Sequence, residues 1–86
     1  MITLLAEIER TLLREWDPIG VRDAPGAEDE YDAYAFRIFT MLKSQASEAD
    51  VARYLGWAQH EHMELPLAAD RNRAIAAKIM SLQTRQ

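Results

Sequence analysis

The stretch with the most capacity for chemistry is H-E-H-M-E, at positions 60 to 64. On a helix His60 and Glu64 share a face, because they are four residues apart, whereas His60 and His62 point in nearly opposite directions. A zinc-protease helix needs two histidines at that four-residue spacing, with a glutamate as base. Two interpretations are therefore open: a metal site that uses His60, Glu61 and Glu64, and a solvated surface pair. The second predicts no bound metal or other cofactor.

A second candidate is the acidic stretch from residue 23 to residue 32. It holds five acidic side chains and no basic one. Carboxylates near a helix N-terminus are stabilised by the helix dipole, so capping and solvation explain part of the pattern. The rest favours a surface for a basic protein partner, formed by Asp23, Glu28, Asp29 and Glu30. In a third interpretation, paired carboxylates of this stretch catalyse acid–base chemistry or bind a divalent cation. The residue spacing of a calcium-binding loop is absent, however.

Other kinds of chemistry find little support in the sequence. The chain has no cysteine, and no serine lies in a G-x-S-x-G context. The two glycine-rich phosphate-binding motifs, G-x-x-x-x-G-K-[ST] and G-x-G-x-x-G, are both missing. The formal net charge of −4 argues against nonspecific binding to nucleic acid or to an anionic membrane, since both need a basic surface. We therefore expect a protein that is not an enzyme and binds neither nucleic acid nor membrane.

Three aromatic residues do not sit squarely on the apolar stripes of their helices. Phe36 and Trp57 lie off the stripe, and Phe39 lies at its edge. Either the packed helices surround these side chains and they belong to the core, or they form an exposed apolar patch. Such a patch would mark an interface, including that of a homodimer.

The elements that must position these residues are predicted to be four short helices in one domain, residues 1–86. Apolar side chains recur at three- and four-residue steps, and no stretch has the alternation of a strand. The predicted helices cover about 3–16, 30–44, 47–64 and 70–84. Most of the glycines and prolines fall between residues 17 and 27, which predicts one long loop between the first two helices.

Local signals refine these helices. Asp29 is a candidate N-cap for the second helix. Ser47 and Asp50 have the spacing of a capping box at the start of the third. Gly56 lies inside the third helix at a cost of about 1 kcal/mol relative to alanine, and it predicts the close approach of another backbone.

The stretch W-D-P-I-G-V, residues 16–21, ends the first helix. Asp17 and Gly20 have the positions of a type I turn, with proline second. Trp16 completes the apolar stripe of the helix, and Ile19 and Val21 are expected to fold back over the end of the bundle. The cluster is therefore predicted to plug the core rather than to bind a ligand.

The same stretch carries a resemblance to a known family. W-D-P-I-G-V, D-E-Y-D-A-Y (residues 29–34), Y-L-x-W-A-Q (54–59) and M-E-L (63–65) resemble the YugE-like family of small bacterial helical proteins of unknown function. The resemblance spans about Leu4 to Leu82. It implies an all-helical fold and assigns no catalytic residue. One departure is Glu64, where the family pattern has glycine at the end of the helix.

The sequence thus predicts an all-α, cytoplasmic, acidic interaction module. Its partner would be a basic protein bound through residues 17–32, and its size and charge are similar to those of immunity and antitoxin proteins. The alternatives are a metal-binding protein or metal-dependent enzyme that uses residues 60–64, and a purely structural homodimer.

Overall fold

The computed structural model describes residues 3–84, and the predicted all-α bundle is confirmed. Within that range there are four α-helices and no strand: α1 (Leu4–Thr11), α2 (Asp32–Lys43), α3 (Glu48–Trp57) and α4 (Ala69–Thr84). None of these helices has the length and apolar character needed to cross a bilayer. Positions 1, 2, 85 and 86 of the predicted domain lie outside the described residues.

Two of the helices continue as π-helical segments, in which the backbone hydrogen bond spans five residues instead of four. The segment Leu12–Trp16 follows α1, and its last bond joins the amide of Asp17 to the carbonyl oxygen of Leu12 at 2.8 Å. The segment Ala58–His62 follows α3 and ends in the same way, with a bond from the amide of Met63. The last residue of each π segment is aromatic, Trp16 in the first and His62 in the second. Each of these side chains therefore lies where the helix ends.

Trp16 belongs to the buried core. Its side chain is 0% exposed and lies edge-on to the ring of Tyr31, with 5.5 Å between ring centroids. Its Nε1–H donates to Oδ1 of Asn72 on α4 at 2.9 Å. The predicted core plug is thus confirmed for Trp16. Val21 is half-buried against the core as expected, but Ile19 is 41% exposed and does not cover the end of the bundle.

A buried polar chain extends from this hydrogen bond. Nδ2 of Asn72 donates to Oε1 of Gln59 at 3.1 Å, and the same oxygen accepts from the amide of Ala68 at 3.3 Å. Asn72 and Gln59 are both buried, and a buried amide is costly unless it is hydrogen-bonded. The chain therefore joins the first helix, the second π segment and the start of α4 at fixed positions.

Two local predictions are confirmed. The turn after Trp16 forms, because the amide of Gly20 donates to the carbonyl oxygen of Asp17 at 3.2 Å. The capping box forms as well, since Ser47 and Asp50 exchange side-chain-to-amide bonds of 3.1 Å in both directions.

Two local predictions are wrong. The N-cap position of α2 is taken by Tyr31, with no side-chain capping bond, so Asp29 does not cap the helix. The close approach at Gly56 comes from side chains rather than from a backbone. A Cβ atom there would meet Cδ1 of Leu67 at 3.2 Å and Nδ2 of Asn72 at 3.7 Å.

The end of the third helical stretch also differs from expectation. The helical segment ends at His62, and Glu64 adopts a left-handed conformation with φ of 57°. His60 and Glu64 therefore do not form the predicted four-residue pair on one helix face. A left-handed residue after a helix is most often glycine, because glycine has no Cβ to clash.

The buried indole gives a first prediction. Trp16→Ala should lower the free energy of unfolding by about 3–5 kcal/mol, the usual range for truncation of a buried aromatic side chain. Urea denaturation followed by circular dichroism measures it. The matched control is Trp57→Ala, which removes a half-exposed indole and should cost only about 1 kcal/mol per lost ring pair. Equal losses in the two variants would contradict the assignment of Trp16 to the core.

The conformation of Glu64 gives a second prediction. Glu64→Gly should raise the melting temperature, because relief of the left-handed strain, about 1 kcal/mol, outweighs the extra backbone entropy of glycine in the unfolded chain. Glu61→Gly, placed inside the π segment, is the matched control and should lower the melting temperature. If Glu64→Gly also lowers it, Glu64 is not strained in the folded protein.

Candidate functional site

Asp17 organises the long loop between Trp16 and α2, which is called the acidic loop below (residues 17–31). Oδ1 of Asp17 accepts from the amide of Val21 and from the hydroxyl of Tyr31, both at 2.8 Å. Its Oδ2 accepts from the amide of Arg22 at 3.2 Å. The Tyr31 oxygen in turn accepts from the amide of Ile19 at 3.2 Å. One carboxylate thus ties the first residues of the loop to its last.

The electrostatics of this contact keep Asp17 ionised. Partial burial acts to raise the pKa of Asp17, but the hydrogen bonds from Val21, Tyr31 and Arg22 outweigh it and hold the pKa below its usual value. Burial, with the neighbouring Asp17 carboxylate, raises the pKa of Tyr31. At neutral pH Tyr31 is therefore a neutral donor and Asp17 a charged acceptor, which is the stronger kind of hydrogen bond.

Between these tied ends, the backbone of the acidic loop forms consecutive turns. The amides of Ala24, Ala27 and Glu30 each donate to the carbonyl oxygen three residues earlier, at 2.9 to 3.2 Å. The loop has no helix or strand, yet these hydrogen bonds recur at every third residue between its tied ends. It is therefore a structured connection and not an open link.

All four side chains predicted to bind a partner are exposed on this loop: Asp23, Glu28, Asp29 and Glu30. Asp23 lies 3.9 Å from the guanidinium of Arg22, a loose and exposed contact. Within residues 3–84 the side chains of the other three form neither an ion pair nor a hydrogen bond. Because Asp29 does not cap α2, helix capping does not explain its carboxylate.

The structure decides between core and surface for the off-stripe aromatic residues. Phe36 is 60% exposed and Trp57 is 49% exposed, so the core interpretation is wrong for both. Phe39 is half-buried against the core, with Nζ of Lys43 at 5.2 Å from the centre of its ring. It is therefore not part of a fully exposed patch. A homodimer built on these residues stays a prediction.

Trp57 is held by aromatic stacking. Its ring is nearly parallel to that of His62, at 5° with centroids 5.6 Å apart, and it also stacks on Tyr54 at 5.8 Å. Nδ1 of His62 lies 2.6 Å from the hydroxyl of Tyr34, whose ring contacts Trp16. A column of rings therefore runs from the core to the surface and fixes the orientation of the exposed indole.

Trp57 lies beside a mainly apolar groove of about 430 Å³ between α3 and the start of α4. Gly56 and Ala69 line it, with Leu67, which is 57% exposed. Arg53 and Arg73 also line this groove, which is called the α3/α4 groove below. Sequence reasoning missed it, although Gly56 was a signal: the missing side chain leaves the space that Leu67 enters.

The structure does not assemble the metal site considered from the sequence. Nδ1 of His60 lies 3.2 Å from the carbonyl oxygen of Leu65, and His62 faces Trp57. Glu64 lies outside the helix. Across residues 3–84, no three histidine or carboxylate side chains are grouped closely enough to hold a metal ion.

Comparison with known proteins adds no relative. No family model matches the chain, and neither the curated proteins nor the solved structures contain a significant match. The resemblance to the YugE-like family therefore stays a prediction.

The contacts of Asp17 give a third prediction. Asp17→Ala should lower the free energy of unfolding at pH 7 by about 1.5–3 kcal/mol, because several hydrogen bonds to a charged acceptor are lost. The folded-state pKa lies below the unfolded value of about 3.9, so the ionised carboxylate stabilises the fold above that pH. This contribution disappears as the pH falls through the folded-state pKa. Denaturation curves between pH 7 and pH 2 measure it.

Asp17 adopts a left-handed backbone conformation, with φ of 32°. Asp17→Asn is the matched control, because asparagine keeps the shape and tolerates that conformation. Its stability should lie between those of the wild type and Asp17→Ala at pH 7. The gap to the wild type should close at acid pH. A gap of constant size across the pH range would show that the charge of Asp17 does not stabilise the loop.

Proposed function

We propose that this chain is a non-enzymatic protein-interaction module that binds a basic protein partner through the acidic loop. The observation that carries the proposal is the conformation of the loop. Its exposed carboxylates stand on a backbone that has a turn hydrogen bond at every third residue from Ala24 to Glu30 and is tied at both ends through Asp17 and Tyr31.

The fixed conformation bears on affinity. A disordered acidic segment loses conformational entropy when it binds, at about 0.5–1.5 kcal/mol for each side chain that becomes immobile, in addition to the cost of the backbone. Because the backbone of this loop is already ordered, that part of the cost falls on folding instead of on binding. The same carboxylates on an unstructured chain would bind more weakly.

The charge of the loop supports a basic partner. Glu28, Asp29 and Glu30 are adjacent and have no ion-pair partner within residues 3–84, so their charge is available to an approaching molecule. Exposed charges at the edge of an interface mainly accelerate association with an oppositely charged protein, and salt weakens this effect. We therefore expect fast, salt-sensitive association.

Three further statements belong to the proposal. The chain would be a member of the YugE-like family, on the motifs W-D-P-I-G-V and D-E-Y-D. It would act in the cytoplasm, in keeping with its lack of cysteine. Its partner would be held as toxins are held by immunity or antitoxin proteins, an analogy of size and charge.

The test uses Glu28→Gln, Asp29→Asn and Glu30→Gln combined in one variant. Partners are captured on immobilised protein from a lysate of the source cells, identified by mass spectrometry, and re-measured as purified proteins. The triple variant should associate with its basic partner at least about tenfold more slowly, and the salt dependence of the rate should become shallower. Surface plasmon resonance at two or more salt concentrations measures both.

The matched control is Glu15→Gln, Glu48→Gln and Asp70→Asn, which removes the same charge from exposed positions outside the loop. Either triple variant has a formal net charge of −4 + 3 = −1. Glu15 and Asp70 form surface ion pairs with Lys78 and Arg73, which typically contribute no more than about 1 kcal/mol. If both triple variants slow association equally, net charge and not the loop governs binding, and the proposal fails.

A further inference from the structure

We propose that the α3/α4 groove is a second binding site, distinct from the acidic loop, and that it takes an amphipathic helix of a protein partner whose apolar face is flanked by lysine or arginine. The site shares no residue with the acidic loop, so it does not depend on the function proposed above.

The apolar floor of the groove is the first observation. Leu67 and Trp57 are both large, apolar and about half exposed, and both line the same groove. Solvated apolar side chains that stand singly are ordinary on a protein surface, but two that line one concave groove mark a binding region. The stacking of Trp57 between Tyr54 and His62 holds that wall in place before any partner arrives.

The charges around the groove are the second observation, and they select the occupant. Arg53 pairs with Asp50 at 3.0 Å, and Arg73 pairs with Asp70. Both cations beside the groove are thus already matched by a carboxylate on their own helix. Glu61, which also lines the groove, has no side-chain partner within residues 3–84.

The unmatched negative charge extends beyond one end of the groove. A neighbouring depression of about 490 Å³ shares His60 and Glu61 with the α3/α4 groove and adds Glu64, Leu65 and Pro66. The Glu64 side chain is likewise exposed and unpaired in the described part of the chain. Nδ1 of His60 lies within hydrogen-bond distance of the carbonyl oxygen of Leu65, so this imidazole already has a partner. The surface is therefore apolar in the middle and acidic at one end.

A helix fits this surface better than an extended strand. The groove lies between two helices, and the described residues contain no strand whose edge could pair with an incoming one. An amphipathic helix places apolar side chains at positions i, i+3 and i+4 in such a groove. A lysine or arginine one turn further along the helix would then reach Glu61 or Glu64, about 5–6 Å beyond the apolar contact.

The probe is a fluorescently labelled, end-capped peptide of about 18 residues, or five helical turns, with leucine on one face and lysine on the other. Fluorescence anisotropy measures its dissociation constant for the wild-type protein. Leu67→Ser should weaken binding at least about tenfold. The pair Glu61→Gln with Glu64→Gln should weaken it about three- to tenfold and reduce its salt dependence. All three positions are exposed, and circular dichroism confirms that the variants fold.

The matched control is the acidic-loop variant with Glu28→Gln, Asp29→Asn and Glu30→Gln, which loses one carboxylate more than the groove variant. It should bind the leucine–lysine peptide as the wild type does. If the loop variant loses binding while the groove variants keep it, the peptide binds to the acidic loop and the groove assignment is wrong.

Two further peptides and one sedimentation experiment complete the test. Peptides with glutamate or glutamine in place of lysine should bind at least about tenfold more weakly. Equal binding of either would overturn the assignment of a basic occupant.

A concentration-dependent dimer of the wild type that Leu67→Ser abolishes in sedimentation equilibrium would show that a second copy of the chain covers the groove, and it would overturn the proposal. Absence of peptide binding at millimolar concentration would overturn it as well.

Discussion

The hydrogen bond from the Trp16 indole to the Asn72 side chain is the contact on which the rest of the structure depends. It closes the bundle by joining the end of the first helix to the last helix, 56 residues further along the chain. Its acceptor, Asn72, is positioned in turn by Gln59 at the end of the third helical stretch. An apolar contact of the same size would hold the helices together without fixing their register, whereas a buried donor and acceptor are satisfied in only one arrangement.

Both exposed surfaces of interest lie beside a π-helical segment. The first segment buries Trp16 and passes directly to Asp17, whose carboxylate orders the acidic loop. The second ends at His62, which stacks on Trp57 beside the α3/α4 groove. Single π turns within α-helices are uncommon and often lie at functional sites. Here each one brings an aromatic side chain to the point where core and surface meet.

Contacts that are close in sequence could be predicted, and distant ones could not. The four-residue spacing of Ile8, Leu12 and Trp16 predicted a buried helix face, and all three are fully buried. The Ser47–Asp50 capping box depends on two residues three positions apart and was equally predictable from the sequence. Asn72 and Gln59 gave no signal, because a single amide in a helix is normally solvated. Their burial depends on a tryptophan in another helix.

The same distinction explains the outcome for the carboxylates. Asp29 had the sequence position of a helix cap, but the loop enters α2 through Tyr31 and leaves Asp29 in solvent. Asp17 was assigned only a place in a turn, although its carboxylate also accepts from a tyrosine 14 residues away. The sequence placed Phe36 and Trp57 off the apolar stripes of their helices. Whether they are buried or exposed depends on how the neighbouring helices pack, which the sequence did not reveal.

The tie between Asp17 and Tyr31 separates two roles within one short loop. The residues that hold its shape face inward, and the exposed positions between them contribute charge but almost no packing. Substitutions at those outer positions can therefore alter the exposed charge while the frame and the core remain intact. The charge of this surface can change through a few codons, with little loss of stability along the way.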